Sequence, residues 1–189
     1  MMLAAVLFQF MAACVCFAES TAEEPVIAFY LVEVGDEEVR QYRKDNGTYS
    51  KWIASTVDQA YLLENYEFLG DPFLTDDDIE RYCWADHTIF LNANGVRRWN
   101  QIGGVHVPLL GFPFLVVVDG EPCYGAMVWN PVSSAMSRLP QFWSFLVEGR
   151  LVTGCCSYLS HEEPPLDVRS DDRVEAALRS LGKLVETCE

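Results

Sequence analysis

The sequence is poor in basic residues. Among 189 residues there are 13 Lys and Arg against 28 Asp and Glu, and only three His, for a formal charge of −15. Such a balance excludes non-specific nucleic-acid binding unless a local basic patch exists, and the densest cluster is only Arg40, Arg43 and Lys44. There is no phosphate-cradling glycine loop: Gly103-Gly104 lacks the lysine and the following helix. There is no CxxC pair, no HExxH pattern (His161-Glu162-Glu163 does not match) and no internal repeat. After the first segment, no apolar run is long enough to span a bilayer. What remains is half apolar and rich in aromatics, enough for a substantial core and too hydrophobic for wholesale disorder.

Met1 to Ala18 is apolar apart from Gln9, and the composition turns polar at Glu19. This reads as a secretory signal over 1–18, cleaved after Ala18, with residues 19–189 forming one α+β domain. The expected address is periplasmic or extracellular. No Lys or Arg precedes Arg40, so the usual basic n-region is absent or lies upstream, and Cys16 stands two before Ala18. A second reading takes Met11-Ala12-Ala13-Cys14 as a lipoprotein site with a lipid anchor on Cys14. Five of the seven cysteines lie beyond this segment, an odd number, so at least one is free or pairs between molecules. Cys83 and Cys123 fall in predicted strands and could bridge within a sheet, or serve as small buried apolar side chains. Cys155 and Cys156 are adjacent, a strained arrangement for a mutual bond.

Pro25 to Val34 reads as a strand. Gln41 to Thr48 reads as a loop, and Tyr49 to Gln59 is ambiguous. Ala60 to Leu69 is strand-like. Thr75 can cap a single turn over Asp76 to Asp78. Ile79 to Trp84 and His87 to Leu91 read as two strands, and Asn92 to Ile102 as a helix with Val96 and Trp99 inward. Phe114 to Val118 is apolar on both faces, so it should be a central, doubly covered strand. Asp119-Gly120 is a type I′ turn signal, and Glu121 to Trp129 should return antiparallel. Pro122 would then face Val117 and have no N–H for a third strand, which predicts an edge or a break there. Phe142 to Val147 and Leu151 to Leu159 are short apolar segments, and His161 to Asp167 a Pro-rich connector. Ser170 is placed to cap a final helix from Asp172 to Glu186 (about 171–187 with its flanks).

Residues Leu74 to about Trp129 resemble the head subdomain in the first periplasmic domain of the SecD/SecDF protein-export subunit. The similarity lies in four ordered pieces: Leu74-Thr75-Asp76-Asp77-Asp78-Ile79, Leu91-Asn92-Ala93-Asn94-Gly95, Gly111 to Val118, and Asp119-Gly120-Glu121. The resemblance implies a head-like core over about 73–130. It implies an α+β fold with a mixed or antiparallel sheet, helices packed on one face including a C-terminal helix, and a periplasmic address. More weakly, it implies binding of extended polypeptide. The chain departs from the family in lacking a transmembrane bundle and in carrying Pro122, Gly125 and Ala126 after the turn, so an export motor does not transfer.

Asp76-Asp77-Asp78 with Glu80 lacks the alternation and glycine of a calcium loop, and reads as a cap and a solvated turn. His87, His106 and His161 read as separate surface residues, and no Cys–His pair sits in a nucleophile motif. No catalytic, cofactor or metal residue is therefore assigned. The expected activity is protein or peptide binding without catalysis, by strand addition beside the Asp119-Gly120 hairpin. Trp129, Ser133, Ser134, Phe142 and Trp143 are the candidate partner-binding residues, if the aromatics are exposed. The alternatives are a metal-dependent or hydrolytic enzyme built from dispersed His, Asp and Cys, and a structural envelope lipoprotein.

Overall fold

The computed structural model describes residues 24–35, 57–104, 107, 111–133, 137–154 and 167–188. The predicted leader with Cys14, the 41–48 loop, His106, Ser134, Cys155, Cys156 and His161 lie outside them. The fold is α+β, and among the described residues there are mixed sheets and three helices that include a C-terminal one. Among the described residues, no helix is long and apolar enough to cross a membrane.

The apolar run ahead of the Asp119-Gly120 turn organises the larger sheet. β1 (Ile27–Val34) pairs antiparallel with both β2 (Tyr66–Phe68) and β3 (Leu74–Thr75). The smaller sheet contains β4 (Ile79–Cys83) and β5 (Thr88–Leu91). β6 (Phe112–Val118) lies between β1 and β7 (Glu121–Trp129). Each residue from Phe114 to Val118 is at most 5% exposed. Alternation sends Phe114, Val116 and Val118 into one apolar cluster and Leu115 and Val117 into another, so this strand is covered on both faces as expected. Asp119 and Gly120 both have positive φ, 49° and 79°, the geometry of a type I′ turn. Val118 pairs with Glu121 and Val117 with Pro122, and the register then slips so that Tyr124 faces Val116. Cys123 is the extra residue of that bulge.

β8 (Gln141–Trp143) runs parallel to β7 but pairs only with Met127 to Trp129, so among the described residues no strand lies beside Pro122 on the side away from β6. β9 (Arg150–Leu151) joins β5, and β10 (Thr153–Gly154) joins β8. β11 (Leu184–Val185) pairs parallel with β4. The order in the larger sheet is β10-β8-β7-β6-β1-β2, with β3 also on β1, and in the smaller β11-β4-β5-β9.

Three local expectations are corrected. Ala60 to Leu69 is not one strand. Gln59–Glu64 is helix α1, and only Tyr66–Phe68 is extended. Asp58 caps the helix by accepting from the Tyr61 N–H at 2.9 Å, and Leu62 drops into the core against Gly125. The cap and this burial outweigh the β preference of Tyr61, while Tyr66 and Phe68 keep theirs in β2. The C-terminal helix is shorter than predicted, Asp172–Ser180 (α3), and its cap is Asp171 rather than Ser170. Gly182 at φ 67° ends it, with Gly182 N–H donating to Arg179 O and Lys183 N–H to Leu178 O, a Schellman closure. Leu184 and Val185 thereby leave the helix and become β11. Finally, the partner of Cys83 is Cys188, not Cys123. The parallel pairing of Leu184 with Tyr82 and Val185 with Cys83 carries the C-terminus to β4, and the Cys83–Cys188 disulfide spans 105 residues.

Helix α2 (Ala93–Gly104) follows prediction, with Trp99 wholly buried. Asn92 caps it, its Oδ1 accepting from the Asn94 and Gly95 N–H groups at 2.9 and 3.1 Å. Asn92 also donates from its backbone to Asp78 O and from its side chain to Asp77 O, tying the helix to the 3-10 turn Asp76–Asp78. Helices α2 and α3 belong to the cluster of Phe114, Val116 and Val118; α1 belongs to the other.

Candidate functional site

The predicted aromatic surface is only partly at the surface. Along β8 successive side chains alternate in direction, so Phe142 and Trp143 part company. Phe142 is fully buried, edge-on to Phe114 at 5.0 Å between ring centroids, and Trp129 is buried in the second cluster. Neither is available to a partner. Ser133 is half-buried and donates its N–H to Asn130 O in a turn at 2.9 Å. Trp143 remains outside, T-shaped against Phe145 at 5.5 Å. Trp143, Phe145 and Val147 are 36%, 44% and 45% exposed. Trp143 and Phe145 thus form an outward aromatic strip, with Val147 exposed two residues further on, and Phe145 is the strip residue that the sequence did not single out.

Strand addition beside the hairpin is blocked. Gln59 clamps Gly125 from both sides: its Nε2 donates to Gly125 O at 2.6 Å and its Oε1 accepts from Gly125 N–H at 2.8 Å. Arg173 donates to Pro122 O at 3.3 Å and Cys123 O at 3.5 Å. At the start of β1, Asp76 Oδ1 accepts from the Ile27 N–H at 3.2 Å. Side chains occupy the backbone groups an incoming strand would need. Pro122 does mark an edge, but a closed one.

His87 is buried, not a surface residue, and stands at φ 58° in the β4–β5 turn. Tyr82 Oη lies 2.8 Å from its Nδ1, Ser170 Oγ 3.3 Å and Asp167 Oδ2 3.6 Å from its Nε2. Arg169 grips Asp167 through Nε at 2.9 Å and a second nitrogen at 2.6 Å, and reaches Thr153 Oγ1 at 2.6 Å. Thr153 in turn donates to His87 O at 3.2 Å. Burial, and next the Arg169 charge, hold His87 below its ordinary 6.5, so it is neutral at pH 7. Burial works to raise Asp167, but the Arg169 hydrogen bonds and charge prevail and keep its carboxyl below the usual range. Tyr82 Oη and Ser170 Oγ are the hydrogen-bond partners of the two His87 ring nitrogens, and the Asp167 carboxylate lies just beyond hydrogen-bond reach of Nε2. Through Tyr82, Thr153, Asp167 and Ser170 the group is a clasp joining the C-terminal segment to β4, the β4–β5 turn and β10.

Two of the three consecutive acids are buried, which corrects the solvated turn. Asp78 Oδ2 accepts from the Thr75 N–H at 3.0 Å and meets Arg98 at 3.5 Å, while Asp76 caps Ile27; only Asp77 is exposed. This turn borders a cleft of about 770 Å³ between the start of β1, the 71–77 segment, α2 and the end of α3. Among the described residues, Cys83, Asp86 and Cys188 are the one group whose potential ligand atoms converge, within 4.8 Å. With both sulfurs in the disulfide, neither is a thiolate ligand. Cys123 is free and buried, and burial pushes its thiol up to about 11, which leaves it unreactive at neutral pH. No family model, curated protein or solved structure matches the chain.

Proposed function

We propose that this protein is exported and binds extended polypeptide in the cell envelope, without chemistry of its own, through the Trp143–Phe145 strip. The observation that carries the proposal is the outward T-shaped pair of Trp143 and Phe145 on a segment anchored by the buried Phe142. Exposed aromatics held by rigid neighbours give contact area with little ordering cost. The apolar leader, the long-range Cys83–Cys188 bridge and the resemblance of 74–129 to the SecD/SecDF head subdomain support an oxidising, extracytoplasmic address.

The test is fluorescence anisotropy of a labelled, carboxymethylated, permanently unfolded polypeptide titrated with the protein. Binding is expected, and the double variant Trp143→Ala/Phe145→Ala should weaken it about tenfold or more with unchanged circular dichroism. No binding, or equal binding by the variant, overturns the site. Mass spectrometry of the secreted chain decides its N-terminus: a free Glu19 supports cleavage after Ala18, and a lipidated Cys14 supports the lipoprotein alternative.

A further inference from the structure

The cleft at the beginning of β1 shares no residue with the Trp143 strip, and its lining is chemically two-sided. Val26, Phe73, Ile102 and Leu181 are each only half-buried, so apolar surface stays wet inside a concavity. Pro25 and Pro72 extend this surface. Four carboxylates line the same space, Glu24, Asp71, Asp76 and Asp77, against one guanidinium, Arg98. Arg98 is already turned to Asp78 at 3.5 Å, and Asp76 spends one oxygen on the Ile27 N–H. Glu24, Asp71 and Asp77 are exposed.

We propose that this cleft is a docking site for a short basic segment of another polypeptide, one that alternates lysine or arginine with apolar residues. Its apolar side chains and the aliphatic stems of its cations would cover Val26, Phe73, Ile102 and Leu181. The charged heads would reach Asp71, Asp77 and Glu24 at the rim. Charge complementarity selects this occupant. An acidic peptide, a nucleic acid or an anionic lipid surface meets three unneutralised carboxylates, on a chain whose formal charge is already −15. The site holds whether or not the Trp143 strip binds polypeptide.

The test uses a labelled peptide of about six residues, about 20 Å long when extended, that alternates lysine with valine. The controls are its glutamate-for-lysine counterpart and free spermidine as competitor. The lysine peptide should bind, and bind more weakly as NaCl rises from about 50 to about 300 mM. Asp71→Asn/Asp77→Asn should cost about fivefold or more in affinity. Glu64→Gln/Glu80→Gln, which makes the same charge change at exposed positions outside the cleft, should cost less than about twofold. Trp143→Ala/Phe145→Ala should bind the lysine peptide as wild type, which separates failure here from failure at the aromatic strip. Equal losses in the two charge variants would reduce the effect to bulk charge and overturn the site. So would equal binding of the glutamate peptide. Competition by spermidine at the peptide's own affinity would make the ligand a free amine and overturn the docking of polypeptide.

Discussion

Leu62 occupies the volume that a side chain at Gly125 would need: a Cβ built there runs into Leu62 Cδ2, with Gln59 Oε1 at 3.6 Å. A six-residue helix thus rests on a strand through one notch, and the Gln59 clamp closes over it. Gly125→Ala should destabilise by about 2–3 kcal/mol through overpacking. Adding Leu62→Ala should return part of that loss, so the double variant lies above the sum of the singles. Urea denaturation of the three variants checks this; additive losses would show that the two residues do not share the space.

Gly182 has φ 67° and open space where a Cβ would stand. Gly182→Ala therefore meets no clash and reports the backbone alone. The expected loss is about 1 kcal/mol, carried by the end of α3 and by β11. Amide exchange should quicken at Lys183 and Tyr82, whose N–H groups donate to Leu178 O and Lys183 O.

Cys83 and Cys188 join a buried strand to the exposed C-terminus. Reduction, or Cys188→Ser, should cost about 2–4 kcal/mol in thermal or urea unfolding. The two-residue β11 should loosen first, seen as lost protection at the Tyr82 and Trp84 amides, which bond to Lys183 O and Val185 O at 2.7 and 2.8 Å.

His87 titrates lower in the fold than in the free chain, where its ordinary value is 6.5. As pH falls, the unfolded chain takes up this proton first. The stability tied to the neutral ring is complete above that value and is lost as pH drops toward the folded pKa. The urea midpoint of the wild type should decline between about pH 7 and about pH 5, and His87→Gln, less stable at neutral pH, should show a flatter profile. Equal slopes in the two proteins would remove His87 as the cause.

Gln59 and Arg173 close the outer edge of β7. Removing both, Gln59→Ala/Arg173→Ala, should free backbone donors and acceptors from Pro122 to Gly125 and promote self-association by edge pairing. Light scattering after size exclusion should show concentration-dependent oligomers in the double variant. A monodisperse variant matching the wild type would mean that something besides these side chains protects the edge.

Some of this was readable along the chain because its causes are local. The doubly covered strand, its type I′ turn and the register of Pro122 follow from a β-branched run beside Asp-Gly, chemistry confined to a few neighbours. The Thr75 turn and the Asn92-led helix follow from caps within three residues of their targets. The candidate surface was less legible. Phe142 and Trp143 look alike as residues, and only the parallel pairing with Val128 and Trp129 says which faces inward.

By itself, then, the amino-acid order determined the central hairpin, the α+β class and the acidic balance, since propensity, turn chemistry and charge act at short range or by simple count. Tertiary structure alone decided that Cys83 meets Cys188, that His87 is buried beside Asp167, and that Gln59 and Arg173 seal β7. These contacts join residues 50 to 105 positions apart, and no local pattern encodes which distant group will be adjacent once the chain has packed.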